Sequence, residues 1–211
     1  EVMPTLGRAD AVVTDPPYGV GFKYNSHDDG NPETYRNLMR AVMPLMRIAA
    51  PFCAVTTGMK HHVWWYCEFK PDYTMSWHKP NQCSRSPLGG FNAWEPILLF
   101  GKTKAKVPHD CIVQSINPAQ PDTGCHPCPK DKTAWSRLVK MLTLPGDTIL
   151  DPFMGSGTTL VACQRLGREG TGIEIDPEYF EIACKRVDEA ARKPDMFIAP
   201  QPKPQQEAMD L

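Results

Sequence analysis

Short runs of β-branched and aliphatic residues, bounded by proline or glycine, alternate along this chain with longer stretches whose apolar residues recur every three or four positions. Ala11-Val12-Val13 is the first such run and predicts a short buried strand. Residues 33–48 place Leu38, Val42, Leu45 and Met46, with Ala49 just beyond, at helical spacing, and Pro44 is expected to interrupt them. Residues 52–57 predict a second strand ended by Gly58, and residues 59–69 a helix whose Trp64-Trp65-Tyr66 cluster reads as core. Tyr73–His78 and residues 93–100 predict two more strands. Residues 132–143 form a helical pattern broken by Pro145-Gly146. Then come a strand at 148–150, a helix at Thr158–Leu166 closed by Gly167, a strand at 170–175 and a helix at 177–191 that begins on proline. Strands alternating with helices of this length define an α/β chain.

Composition adds bounds to this picture. The 211 residues suit one domain with a proper core, 41% of them hydrophobic and 22% charged. No apolar run approaches a membrane span and no signal-peptide pattern opens the chain, which starts on Glu1 as though its beginning were missing or processed. The eight cysteines follow no secreted-scaffold spacing, and Cys163 and Cys184 read as small buried hydrophobes, so a reduced, cytoplasmic setting is expected. The net charge of −1 excludes a protein that grips duplex DNA through a strongly basic surface overall. Residues 1–193 are read as one catalytic domain, and 194–211, rich in Pro and Gln, as a disordered tail. Residues 20–32, rich in Gly, Asn and Asp, read as a mobile loop suited to covering a bound ligand.

The first strand runs into Asp15-Pro16-Pro17-Tyr18-Gly19. Two prolines cannot continue a ladder of backbone hydrogen bonds, and each stiffens the residue before it. The product is a rigid lip at a strand's carboxyl end, where open α/β sheets bind ligands. A carboxylate beside a backbone carbonyl accepts both hydrogens of an amino group, and Tyr18 offers a face for a heterocycle. The same pattern also suits an ordinary turn with Tyr18 as a lid on the core.

Downstream, a strand leads into Asp151-Pro152-Phe153-Met154-Gly155-Ser156-Gly157-Thr158-Thr159, then a helix, a strand and Glu174. This is the first unit of a dinucleotide-type fold, with glycines that admit close backbone approach and a carboxylate about 20 residues on, positioned to grip a ribose. The full Gly-x-Gly-x-x-Gly pattern is absent, as is a Gly-Lys-Ser/Thr phosphate loop. Asp151 at the strand tip suits an ammonium group better than a phosphate, and an adenosine with a cationic amino-acid tail, S-adenosylmethionine, fits such a site. Lys102, Lys104 and Lys106 alternate, so in an extended segment they would share one side and could meet phosphates. Lys79 and Arg85, in and beside the loop after Tyr73–His78, are grouped with them as nucleic-acid contacts. His109, Cys111, Cys125 and Cys128 offer a zinc-binding alternative, which is set aside in favour of no metal.

Taken together and in this order, the two motifs resemble those of the DNA amino-methyltransferases, in the permuted class whose catalytic motif precedes the cofactor motif. Asp15-Pro16-Pro17-Tyr18 looks like that family's catalytic motif, Asp151 to Thr159 like its cofactor loop, and Gly172-Ile173-Glu174-Ile175 like its ribose-binding strand. His126-Pro127-Cys128-Pro129-Lys130, on to Gly146-Asp147, resembles the segment flanking the methionine moiety, which adds Lys130 to the cofactor residues. Trp77-His78-Lys79 and Glu95 sit where relatives carry a Trp-x-Lys and a Glu. The resemblance covers roughly residues 9–190. It implies a Rossmann-like S-adenosylmethionine-dependent fold, a mostly parallel sheet with helices on both faces, in a bacterial or phage-encoded enzyme of restriction-modification type acting on DNA. Asp at the first motif position goes mostly with adenine N6 and Ser with cytosine N4, so N6-adenine is expected. Relatives have Thr-Gln-Lys-Pro where this chain has Cys-Pro-Lys-Asp after His126-Pro127, and a strand upstream that this chain starts too late to contain. The segment at about 101–125 is short for target recognition, so selectivity is expected to be modest or supplied by a homodimer partner. Rival readings are an N4-cytosine enzyme, a methyltransferase of RNA or protein glutamine, in which the motif order is normally reversed, and a DNA-binding relative with little catalysis.

Overall fold

The computed structural model describes residues 2–19, 31–81, 86–115 and 132–192. The loop at 20–30, Arg85, Cys125, the His126–Lys130 motif and the tail from 193 lie outside the described residues. In chain order the elements are β1 (Ala11–Thr14), α1 (Pro32–Ala49), β2 (Phe52–Thr56), α2 (His62–Phe69), β3 (Tyr73–His78), β4 (Trp94–Gly101), β5 (Cys111–Val113), α3 (Lys132–Leu142), β6 (Thr148–Asp151), α4 (Thr158–Leu166), β7 (Glu169–Gly172) and α5 (Pro177–Arg192). The strands form one seven-stranded sheet in the order β5-β3-β4-β2-β1-β6-β7. Only β4 runs against its neighbours; every other pairing is parallel. The sheet is therefore mostly parallel, as expected of this α/β chain.

All four residues of β1 are buried, which requires cover on both faces. Alternation along the strands divides the core in two. Ala11, Val13, Ala54, Ile97 and Ile149 face Trp135, Leu138 and Val139 of α3 and Ala162 and Cys163 of α4. Val12, Cys53, Val55, Leu98 and Leu150 face Tyr35, Met39, Met43 and Met46 of α1 and Trp65 of α2. Trp65 is core as expected, although Tyr66 beside it is exposed.

Helix α1 begins where the Asn31 side chain accepts the Glu33 amide at 2.9 Å, with Pro32 in the first turn. The helix passes through Pro44 without interruption, contrary to the sequence expectation. Pro44 lies on the exposed face, where water can satisfy the carbonyl that loses its partner. A second departure is β5, three residues that pair with β3 and draw part of the expected recognition segment into the sheet. A third is Cys184, which is exposed on α5, whereas Cys163 is buried. Among the described residues no helix is long and apolar enough to cross a membrane.

Candidate active site

Strands β1, β2, β3, β6 and β7 all end at one edge of the sheet, and β4, being reversed, begins there. This topology brings Asp15, Thr56, Lys79, Glu95, Asp151 and Glu174 to a single rim from six different strands. The two motifs that the sequence separates by more than a hundred residues thus meet on adjacent strands, β1 and β6.

They are also bonded. Thr14, the last residue of β1, donates its hydroxyl to Asp151 Oδ1 at 2.6 Å. The other carboxylate oxygen of Asp151 accepts the Thr159 hydroxyl from the start of α4, and Trp135 Nε1 donates to that same hydroxyl at 2.6 Å. The Phe153 amide adds a third donor to Asp151, at 3.1 Å. Asp151 is 2% exposed, and its burial pushes its carboxyl up to about 6, against the hydrogen bonds from Thr14 and Thr159 that favour the anion. Among the described residues it has no cationic partner. Asp151, expected at the strand tip as a contact for a ligand's ammonium group, is here also the tie between both motifs.

On the lip itself, the Thr56 hydroxyl at the end of β2 donates to Asp15 Oδ1, fixing the carboxylate from the neighbouring strand. Pro16 is buried and Pro17 half-buried. Tyr18 donates its hydroxyl to Glu95 Oε2 at 3.3 Å, and its ring lies against Gly58, where a built Cβ would come within 3.2 Å. Burial first, then the negative charges of Asp15 and Glu95, hold the Tyr18 phenol well above its ordinary pKa, so it stays neutral. Gly19 turns the chain at φ +64°, and its carbonyl accepts Lys60 Nζ at 3.0 Å, beside the buried His61 ring.

The glycine loop is held from three sides. Glu174 accepts the Gly155 amide on Oε2 and the Asp176 amide on Oε1, both at 2.9 Å. Arg186, from α5, donates to the Ser156 carbonyl at 2.6 Å and also to its hydroxyl. Gly157 has φ +80° and no room for a side chain, since a Cβ there would lie 2.8 Å from Ala183 Cβ. Gly157→Ala is therefore expected to force α4 and α5 apart and to cost about 1–3 kcal/mol, read as a lower midpoint in urea unfolding. Pro152 is buried, Phe153 is partly buried against the second core cluster, Thr158 is half-buried and Ile175 is exposed.

The lysines are arranged differently from expectation. Lys79 is only 5% exposed: its ammonium pairs with Glu95 and lies 3.9 Å from the Trp77 ring centroid. A buried, paired lysine is not presented to a phosphate backbone, and this one braces Glu95 instead. Lys102, Lys104 and Lys106 follow Gly101, which pairs with Phe52 at the start of β2, on the edge opposite the lip. Lys104 there bonds Asp10 at 2.6 Å. All three are exposed there, away from the strand ends that carry the lip. Sequence reading passed over Thr14, Thr56, Trp135 and Arg186; the first two carried a signal, as polar residues closing otherwise apolar strands.

Burial pushes the Cys53 and Cys163 thiols up to about 12, so neither serves as a nucleophile. Among the described residues no three His, Cys, Asp or Glu side chains converge to hold a metal. The rim instead gathers carboxylates around a glycine loop, and Arg186 beside that loop bonds its backbone. Such a donor set fits a ligand with a cationic tail, as S-adenosylmethionine has, rather than a pyrophosphate.

An open α/β sheet with a glycine loop after one strand and an acidic Pro-Pro-Tyr lip after its neighbour is a Rossmann-like arrangement. A family model described as DNA methylase matches residues 109–185. The chain is 28% identical to Type II methyltransferase M.HpaI of Haemophilus parainfluenzae, across 85% of this chain and 68% of that protein. It is 48% identical to M2.DpnII of Streptococcus pneumoniae over 31% of this chain, a match spanning only 24% of that protein. In fold it is similar to M1.HpyAVI in its complex with SAM (TM-score 0.66, 24% identity, 89% of this chain and 92% of that one). The cytosine-N4-specific PvuII DNA methyltransferase gives a TM-score of 0.68 at 16% identity, over 91% and 88% of the two chains. These likenesses support the DNA amino-methyltransferase family that the paired motifs suggested.

Proposed function

We propose that this protein transfers a methyl group from S-adenosylmethionine to the exocyclic N6 amine of an adenine turned out of duplex DNA. The observation that carries this reading is the Thr14–Asp151 bond, which locks the lip and the glycine loop side by side on adjacent strands. When bound, S-adenosylmethionine supplies an electrophilic methyl group on a sulfonium. The chain's own residues then have to prepare a poor nucleophile, because the amine shares its lone pair with the ring. The Asp15 carboxylate, oriented by Thr56, and the Pro16 carbonyl accept the two amine hydrogens, favouring a pyramidal nitrogen with a localised lone pair. Positioning of this kind is worth several kcal/mol. Neutral Tyr18, anchored through Glu95 and Lys79, gives the base a fixed ring to lie against. Glu174 and the loop from Pro152 through Gly155, Ser156, Gly157 and Thr158 to Thr159 would hold the cofactor, with Lys130, outside the described residues, and Ile175 as further contacts.

The acidic first residue of the lip, Asp15, supports adenine. Cytosine N4 is the second reading, favoured by the fold shared with the cytosine-N4-specific PvuII enzyme. Incubating the protein with methyl-labelled cofactor and mixed-sequence DNA, then digesting to nucleosides, decides between them. Labelled N6-methyladenine is expected. Labelled N4-methylcytosine would transfer the assignment to the second reading, and label in RNA or protein but not DNA would sink both.

A further inference from the structure

The hairpin joining β3 to β4 projects from the same edge as the lip. Its ladder continues past the strands, with the Lys79 amide donating to the Ala93 carbonyl at 2.7 Å. Its tip is closed on itself: the Ser86 amide donates to the Gly90 carbonyl at 2.8 Å, the Gly89 amide to the Ser86 carbonyl at 3.1 Å, and the Leu88 amide to the Ser86 hydroxyl at 3.1 Å. Gly89, at φ +87°, permits so tight a turn. This turn holds two large apolar side chains out in solvent, Leu88 at 96% and Phe91 at 64% exposure. A single exposed leucine is ordinary. Two bulky apolar groups on one closed turn, beside a rim built to take a flat base, call for an apolar occupant. The hairpin is continuous with the lip, because its strand residue Glu95 accepts the Tyr18 hydroxyl.

We infer that Leu88, backed by Phe91, is the wedge that enters the duplex and fills the gap left when the target base turns out toward Asp15. The inference rests on the proposed activity on DNA. Extruding a base costs its stacking and pairing, and an apolar side chain pushed into the stack offsets part of that cost. A turn tied by its own hydrogen bonds loses little freedom on insertion, which suits it to the task. The net charge of −1 gives the chain little overall attraction for a duplex, which leaves work for a contact of another kind.

The test compares wild type, Leu88→Ala, Leu88→Met and Phe91→Ala on three DNAs carrying one unmethylated target site: intact duplex, single strand, and a duplex whose target base faces an abasic position. Leu88 is exposed enough that these variants fold as wild type does. Leu88→Ala is expected to lower kcat/KM on the intact duplex by about tenfold or more, with single-stranded and abasic-paired DNA changed less than about twofold. Leu88→Met should stay near wild type, and Phe91→Ala should fall between. An equal loss on all three DNAs, or none on the duplex, overturns the wedge. Loss of a dimer in Leu88→Ala by size-exclusion chromatography, with duplex activity intact, overturns it in favour of a second copy of the chain. A wild-type protein that labels no DNA at all removes the underlying activity, a failure distinct from these.

Discussion

Asp15→Ala is expected to lower methyl transfer by about a thousandfold while leaving cofactor affinity largely unchanged. The carboxylate sits just past the end of β1 and is oriented by the Thr56 hydroxyl from β2, a strand that does not carry the glycine loop. Its loss removes one of two acceptors for the amine and leaves the Pro16 carbonyl alone, which cannot localise the lone pair. A preorganised polar group lost from a water-poor site typically costs factors of this size. Gly155, Gly157 and Glu174 keep every contact they have. Single-turnover methylation measures the first quantity and calorimetric titration of the cofactor the second. Equal weakening of cofactor binding in Asp15→Ala and Asp151→Ala would show that the two motifs do not divide the labour in this way.

Elements marked by local chemistry were legible in the chain. Tyr73–His78 and Thr158–Leu166 fall where the pattern places them, because alternation and a closing glycine are local signals. Gly167 ends α4 at φ +68°, as a helix-stop glycine should. Pro44 misled because the rule that proline breaks helices ignores which face the proline occupies. β5 escaped notice since Cys111-Ile112-Val113 is too short to show a period and exists only through pairing with β3. Lys79 shows a different limit. Its partner Glu95 is brought opposite by β3–β4 register, which pairs Trp77 with Glu95, and only that register turns a loop lysine into a buried brace. The site's motifs were visible because each is a contiguous string. The ties between them, Thr14 to Asp151 and Arg186 to Ser156, join residues far apart in sequence and could not be read from either string.

Asp151→Asn should gain stability at neutral pH and lose cofactor affinity, and the two effects have one origin. The wild-type carboxyl titrates near 6 in the fold against an ordinary value of 3.8. Between those values the folded protein holds the proton more tightly than the unfolded chain, so stability from this group is full below pH 4 and is lost as pH rises through 6. At pH 7.5 the buried anion costs about 3 kcal/mol, which an uncharged asparagine avoids. Asp10, at the other end of β1, titrates at about 2 because Lys104 and Thr148 bond it, so its opposite slope lies below this window and does not mask it. Urea unfolding at pH 4 and pH 7.5 should therefore show the variant overtaking wild type as pH rises. The anion nonetheless anchors the Thr14 hydroxyl, the Thr159 hydroxyl and the Phe153 amide at once, and charge-assisted bonds of this kind are about twice as strong as neutral ones. Weakening them frees the glycine loop from the lip, and cofactor affinity is expected to fall by about tenfold or more, for the loss of roughly 1.5 kcal/mol of anchoring. A stability cost retained beside a binding site is the pattern of a residue kept for function. An Asp151→Asn protein with unaltered cofactor affinity and the wild-type slope of stability against pH would show that the tie between the strands holds nothing the reaction needs.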